Sequence, residues 1–125
     1  MLFAPRLHSF YLILLLWISI KASASSILIP MDAQSQSNHL KAYGITYWVL
    51  SQNQNVKWLL NYRGGAFLIP SSDRIERECL IRGVSFERIS DSKTAEILEE
   101  IGSPSKNMDA IVLEKAPKIA VYSPS

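Results

Sequence analysis

The first 24 residues have the pattern of a secretory signal peptide, which limits how much of the chain is left to fold. Arg6 precedes an apolar run from Phe10 to Ile20, and an Ala-x-Ala step ends at Ala24. We place cleavage after Ala24 and expect an exported protein, periplasmic or extracellular. The apolar run is shorter than the roughly 20 residues that a membrane-spanning helix needs. We therefore expect no stable membrane insertion after cleavage.

What remains is about one hundred residues, which is enough for one small domain. The leader contains Arg6 and Lys21, two of the 13 basic residues, so the other basic residues equal the 11 acidic ones in number. Nucleic acid and anionic membrane surfaces require a net basic face, so neither is an expected partner. Outside the leader, Cys79 is the only cysteine and His39 the only histidine. The sequence therefore predicts no disulfide, no metal site and no cofactor.

Short apolar runs predict strands at residues 26–30, 56–62, 66–69 and 84–89. The same reading adds a short strand at 110–113. Helical spacing predicts a helix that carries an apolar stripe at Leu40, Tyr43, Tyr47 and Leu50. A strand over 45–50 is the alternative for that stretch, because it is apolar throughout.

Cap residues delimit two further helices. One begins at Ser72 or Asp73 and ends at Gly83, and the other begins at Ser90 or Asp91 and ends at Gly102. Alternating strands and helices predict an α/β fold: a small three-layer domain with a mostly parallel sheet, Rossmann-like or flavodoxin-like.

The predicted domain spans residues 25–109. We assign residues 110–125 to a linker and to the first strand of a following domain. The run at 119–122 starts as a strand without a helix after it, so we expect the chain to be a truncated part of a longer protein.

Several loops follow predicted strands, and in an open parallel sheet ligands bind beyond the carboxyl ends of strands. The candidate ligand-binding residues in these loops are Asp32, Asn61, Arg63, Gly64, Gly65 and Asp91. A guanidinium can bind a carboxylate or phosphate through two hydrogen bonds, and glycine N–H groups can bind the same anion. The loops therefore predict a site for an anionic small molecule. A plain turn with a solvated Arg63 is the alternative.

Catalytic residues are not indicated. Cys79 and His39 form the only conceivable thiol dyad, but Cys79 lies on the inner side of its predicted helix, where a lone cysteine acts as a small hydrophobe. The sequence contains neither glycine-rich nucleotide-binding fingerprint.

Six motifs span almost the whole chain after the leader. They are Ile-Pro-Met-Asp at 29–32, Asn-His-Leu-Lys-Ala-Tyr-Gly at 38–44, Trp-Leu-Leu-Asn-Tyr-Arg-Gly-Gly at 58–65, Arg-Gly-Val at 82–84, Asn-Met-Asp at 107–109 and Lys-Ala-Pro-Lys-Ile-Ala-Val-Tyr-Ser-Pro at 115–124. Together they resemble the N-terminal part of exported bacterial proteins commonly labelled asparagine synthetase B. The resemblance implies a longer protein whose next α/β domain starts at residues 118–124.

The family label implies a glutamine-dependent asparagine synthetase. Such enzymes carry a catalytic cysteine directly after the initiator Met, whereas this chain has Leu2 there. We therefore expect the chain to be a non-catalytic N-terminal module that contributes residues 61–65 to a site completed by further domains. The alternatives are a small exported domain that binds an anionic ligand at Arg63, Gly64 and Gly65, and part of a glutamine-dependent amidotransferase.

Overall fold

The computed structural model describes residues 25–118 and Ala120. Its elements, in chain order, are β1 (Ser26–Ile29), α1 (His39–Ser51), β2 (Val56–Leu60), β3 (Ala66–Pro70), α2 (Asp73–Arg82), β4 (Glu87–Ile89), α3 (Asp91–Ile101) and β5 (Asp109–Leu113). The predicted leader with its cleavage site at Ala24 lies outside the described residues, as does most of the predicted strand at 119–122. Within the described part, none of the helices has the length and apolar character needed to cross a bilayer.

The sheet overturns the predicted fold class. Its strand order is β4-β1-β3-β2-β5, and every pair of neighbours is antiparallel. The protein therefore has an α+β fold with one five-stranded antiparallel sheet. The predicted three-layer domain with a mostly parallel, Rossmann-like or flavodoxin-like sheet is wrong.

The way the connections interleave explains the error. β1 and β2, joined through α1, run in the same direction, but β3 folds back after β2 and inserts between them. β3 and β4, joined through α2, also run in the same direction, and β1 lies between them. Strand–helix alternation indicates the direction of successive strands and leaves open which strands become neighbours.

The two faces of the sheet carry separate apolar cores. In β1, Ile27 and Ile29 point to one face, where they pack with α1 and α2. Leu28, between them, points to the other face and packs with Ile97 and Ile101 of α3. This alternation follows from the two-residue period of a strand.

Helix α1 confirms the predicted helix and excludes the strand alternative at 45–50. Its buried residues are Ala42, Ile45, Thr46, Val49 and Leu50. The first three residues of the apolar stripe seen in the sequence are instead exposed, by 86% at Leu40, 51% at Tyr43 and 43% at Tyr47. Both sets have helical spacing, so the sequence identifies the helix without showing which side meets the sheet.

The other helices begin and end close to where the sequence predicts. The Ser72 hydroxyl accepts a hydrogen bond from the Ile75 N–H, and the Ser90 hydroxyl accepts one from the Lys93 N–H, each at 3.2 Å. Helix α2 ends at Gly83, which has a φ of 67°.

Strand β5 pairs with β2 over its whole length. The domain boundary expected at residue 109 therefore falls inside the sheet.

Candidate functional site

The loops that follow β1 and β2 meet at one edge of the sheet, the edge formed by the carboxyl ends of these two strands. Both loops lie at this edge because β1 and β2 run in the same direction. The Met31 N–H donates a hydrogen bond to the Arg63 carbonyl oxygen at 3.0 Å. A Cβ atom placed on Gly64 would stand 2.6 Å from the backbone nitrogen of Asp32. The two loops are therefore packed backbone against backbone, and the absence of a side chain at position 64 permits that approach.

The side chain of Arg63 is bonded within the fold. Its Nη1 donates to the Glu87 carboxylate at 2.7 Å, and its Nη2 donates to the Ser35 hydroxyl at 3.0 Å. Its Nε lies 3.5 Å from the second carboxylate, that of Asp32. We call Asp32, Ser35, Arg63 and Glu87 the Arg63 cluster. It ties the loop after β1 and the turn after β2 to the start of β4.

Charge in the Arg63 cluster is already compensated. Hydrogen bonding to Glu87 raises the pKa of Arg63 above its ordinary value. Hydrogen bonds from Ser35, with a smaller contribution from the charge of Arg63, lower the pKa of Asp32. One guanidinium therefore faces two carboxylates. An incoming anion would have to displace one of these carboxylates and would be repelled by the other.

Asn61 takes part in a second link at the same edge. Its amide Nδ2 donates a hydrogen bond to the Asn107 carbonyl oxygen at 2.8 Å. Both residues have left-handed backbone conformations, with φ of 59° at Asn61 and 41° at Asn107. Asparagine tolerates this conformation better than most residues do. Asn61 thus joins the β2–β3 turn to the loop that leads into β5.

Asp91 lies at the opposite edge of the sheet, away from the other candidate residues. β4 is antiparallel to β1, and Ile89 at its end pairs with Ser26 at the beginning of β1. The residues after β4 are therefore next to the start of β1, whereas Asp32 follows its end. The grouping of Asp91 with Arg63 required a parallel sheet and is wrong for that reason.

Sequence reasoning missed Glu87 and Ser35. Glu87 begins β4, and only the antiparallel direction of that strand brings its first residue to the edge that carries Arg63. Ser35 lies in the polar loop after β1, and its spacing gives no signal of a contact with Arg63. Its N–H also donates to the Asp32 carboxylate at 2.9 Å.

The two residues considered for catalysis, Cys79 and His39, are held in the fold by burial and by a backbone hydrogen bond. Cys79 is fully buried, and burial raises the pKa of its thiol to about 11. The Nε2 of His39 donates a hydrogen bond to the Met31 carbonyl oxygen at 3.0 Å. Among residues 25–118, no three His, Cys, Asp or Glu side chains are grouped so that they could hold a metal ion.

An apolar groove of about 510 Å³ opens between α1 and the end of β5. Tyr43 and Tyr47 line one side, and Leu113 and Lys115 line the other. Its floor contains Trp58 and Phe67, whose stacked rings have centroids 6.2 Å apart. The residues that line the groove are distinct from those of the Arg63 cluster.

Comparisons with protein-family models, with curated proteins and with solved structures found no match to this chain.

Proposed function

We propose that this chain is the N-terminal α+β module of an exported protein similar to the family labelled asparagine synthetase B, and that the module alone is non-catalytic. In this proposal the edge formed by residues 61–65 is a rigid surface next to which a following domain completes a site.

The bonding of Arg63 carries the part of the proposal that the module alone binds no anion. Two of its five N–H donors bond to Glu87 and Ser35, and its Nε lies beside Asp32, so two carboxylates already compensate its single charge. These contacts support a role for Arg63 in holding three segments of the fold together.

The motifs behind the family resemblance also contact one another. Motif 29–32 packs against motif 58–65 through Met31 and Arg63, and His39 of motif 38–44 binds Met31. Asn38 Nδ2 donates to the Gly83 carbonyl oxygen at 2.8 Å, which links motif 38–44 to motif 82–84. These contacts support a structural role for the motifs within the proposed module.

Substitution of Arg63 tests whether this residue stabilises the fold or binds an anion. We expect Arg63→Ala to lower the free energy of unfolding by about 1 kcal/mol, because the ion pairs are partly exposed. Arg77→Ala is the matched control, since Arg77 is exposed and makes no ion pair within the described residues. Urea unfolding measures both variants.

Inorganic phosphate is the probe for the competing hypothesis. We expect titration calorimetry to detect no saturable phosphate binding by the wild-type chain. Saturable binding that a folded Arg63→Ala variant loses would overturn the structural role and establish an anion site.

Two further measurements test the remaining parts of the proposal. The purified chain is expected to release no glutamate from glutamine above the buffer background, and measurable release would favour the amidotransferase alternative. The exported protein is expected to begin at Ser25 by intact mass. A mature protein that still begins at Met1 would remove the signal-peptide argument.

A further inference from the structure

The side chain of Gln36 is buried between the loop after β1 and the residues that lead into β4. It is 1% exposed, and with Thr46 it is one of two buried polar side chains among the described residues. Its Nε2 donates hydrogen bonds to the Pro30 carbonyl oxygen at 3.2 Å and to the Ser85 carbonyl oxygen at 3.1 Å. Its Oε1 accepts a hydrogen bond from the Ser85 N–H at 3.2 Å. Both ends of the amide are therefore bonded to backbone groups.

These bonds replace a strand pair that a proline prevents. Along β1, backbone groups point alternately to β3 and to β4, and the Ser25 carbonyl oxygen accepts a hydrogen bond from the residue after β3. Leu28 therefore bonds to its partner Glu87 on β4, and the next bonded pair would be Pro30 and Ser85. Proline has no N–H, so this pair would leave the Ser85 carbonyl oxygen without a donor. The inserted side-chain amide supplies that donor and satisfies the other two backbone groups as well.

The same amide joins the two segments that contribute to the Arg63 cluster. Gln36 directly follows Ser35, whose hydroxyl accepts a hydrogen bond from Arg63. Ser85 lies two residues before Glu87, whose carboxylate accepts another. Within the part of the chain that the structure describes, Gln36 makes no hydrogen bond to Arg63 itself. Its effect on the cluster is therefore indirect, through the positions of the loop and of β4.

β4 depends on side-chain bonds to stay on the sheet. It has three residues, of which only Ile89 is buried, and among the described strands it pairs with β1 alone. Its other two residues, Glu87 and Arg88, are exposed and are bonded to Arg63 and Glu76. Short elements with few buried contacts have low free energies of local opening.

We propose that Gln36 is the latch of a conformational unit made of residues 32–36 and β4. The loop and the strand detach from the sheet together, ahead of the other strands, and the Gln36 amide sets the free energy of that opening. The Arg63 cluster is assembled only while the latch is closed, because both segments contribute to it. This inference does not depend on the proposed function, since it concerns the assembly of the cluster alone.

Amide hydrogen exchange of the exported chain, followed residue by residue by NMR, tests the proposal. Gln36→Met keeps the volume of the side chain and removes all three hydrogen bonds. We expect exchange of the Ile89 N–H to accelerate about tenfold, while the amides of β2 and β3 change less than about twofold. Ile89 is the informative reporter, because it lies four residues beyond Ser85 and pairs with Ser26 of β1.

The reverse experiment starts from β4. Arg88→Ala removes the hydrogen bond to Glu76, and the Arg88 side chain is 60% exposed, so this variant should fold even if Gln36→Met does not. The Ser35 N–H, which donates to the Asp32 carboxylate, reports on the loop. We expect its exchange to accelerate about threefold, although the lost bond joins β4 to α2 and not to the loop.

Thr46→Val is the matched control. It removes the hydrogen bond from the other buried polar side chain, which donates to the Ala42 carbonyl oxygen at 3.2 Å inside α1, and it should leave Ile89 exchange unchanged. Unchanged Ile89 exchange in Gln36→Met, equal acceleration of every strand, an equal effect of Thr46→Val, or unchanged Ser35 exchange in Arg88→Ala would each overturn the proposal.

Discussion

Gly64 lies so close to Asp32 that no side chain fits between them. A Cβ atom at position 64 would be 2.6 Å from the Asp32 backbone nitrogen and 2.6 Å from the Met31 carbonyl carbon. Both neighbours are backbone atoms, which cannot rotate away as a flexible side chain can. The contact fixes the distance between the two loops and, with it, the position of Arg63 beside Asp32.

Gly64→Ala should therefore be costly. The residue has a φ of 76°, which disfavours alanine, and the added methyl group forces the loops apart. We expect the free energy of unfolding to fall by about 2–4 kcal/mol in urea denaturation. Gly44→Ala is the matched control, because Gly44 is inside α1 and its nearest non-local atom would be 3.8 Å from the new Cβ. That control should gain about 0.5–1 kcal/mol. Equal effects at the two positions would contradict the packed-loop interpretation.

Substitutions at Asn61 and Asn53 distinguish the stability contributed by a side-chain hydrogen bond from that contributed by a left-handed backbone conformation. Both have a φ of 59°, but only Asn61 donates a side-chain hydrogen bond within the described residues, to Asn107. We expect Asn53→Ala to cost about 1 kcal/mol for the left-handed backbone alone. Asn61→Ala should cost about 1 kcal/mol more, because it also removes the hydrogen bond. Thermal and urea unfolding of the two variants would show the difference, and identical losses would assign Asn107 no part in the stability of the turn.

Cys79 should be protected from thiol reagents in the folded protein. With a pKa of about 11, only about one thousandth of the thiol is ionised at pH 8, and the thiolate is the reactive form. We expect mass spectrometry to show no alkylation by iodoacetamide in buffer and complete alkylation in concentrated urea. Rapid modification of the native chain would mean that α2 opens readily.

The same thiol makes stability depend on pH in alkaline solution. The unfolded thiol ionises near its ordinary pKa of 9.0, whereas the folded one ionises only near about 11. Between these values the unfolded state binds fewer protons, so stability falls as the pH rises. We expect Cys79→Ala to show a smaller loss of stability than the wild type across this window, measured by urea unfolding at each pH. Parallel curves for the two proteins would contradict burial of the thiol.

Glu76 should contribute to stability at neutral pH and lose that contribution in acid. The hydrogen bond from Arg88, at 2.9 Å, lowers the pKa of Glu76 below its ordinary 4.5, and Ser71 adds a second bond. A lowered pKa stabilises the fold above the unfolded value and stops doing so as the pH falls through the folded value. Glu76→Gln should therefore cost about 1 kcal/mol at pH 7 and progressively less below pH 4.5. Glu96→Gln, on the exposed side of α3, should show little loss at either pH.

The elements were predictable because their signals are local. The caps at Ser72 and Ser90, the terminal Gly83 and the inward position of Cys79 all follow from residues within a few positions of each other. The placement of Arg63 and Asp32 at the same end of the sheet was also predictable, because β1 and β2 run in the same direction whether or not they are neighbours. The contact of Arg63 with Glu87 was not, since 24 residues separate them and their meeting depends on the direction of β4.

Local sequence signals indicated the approximate position of each helix and strand, and the turn in which Gly64 and Gly65 adopt left-handed conformations. Tertiary structure alone decided which strands pair, which side of α1 is buried and why Asp91 is remote from Arg63. The physical reason is that backbone hydrogen bonding and helical period are satisfied equally well by several arrangements of the same elements. Only the joint burial of both faces of the sheet, with β3 inserted between β1 and β2, selects one of them.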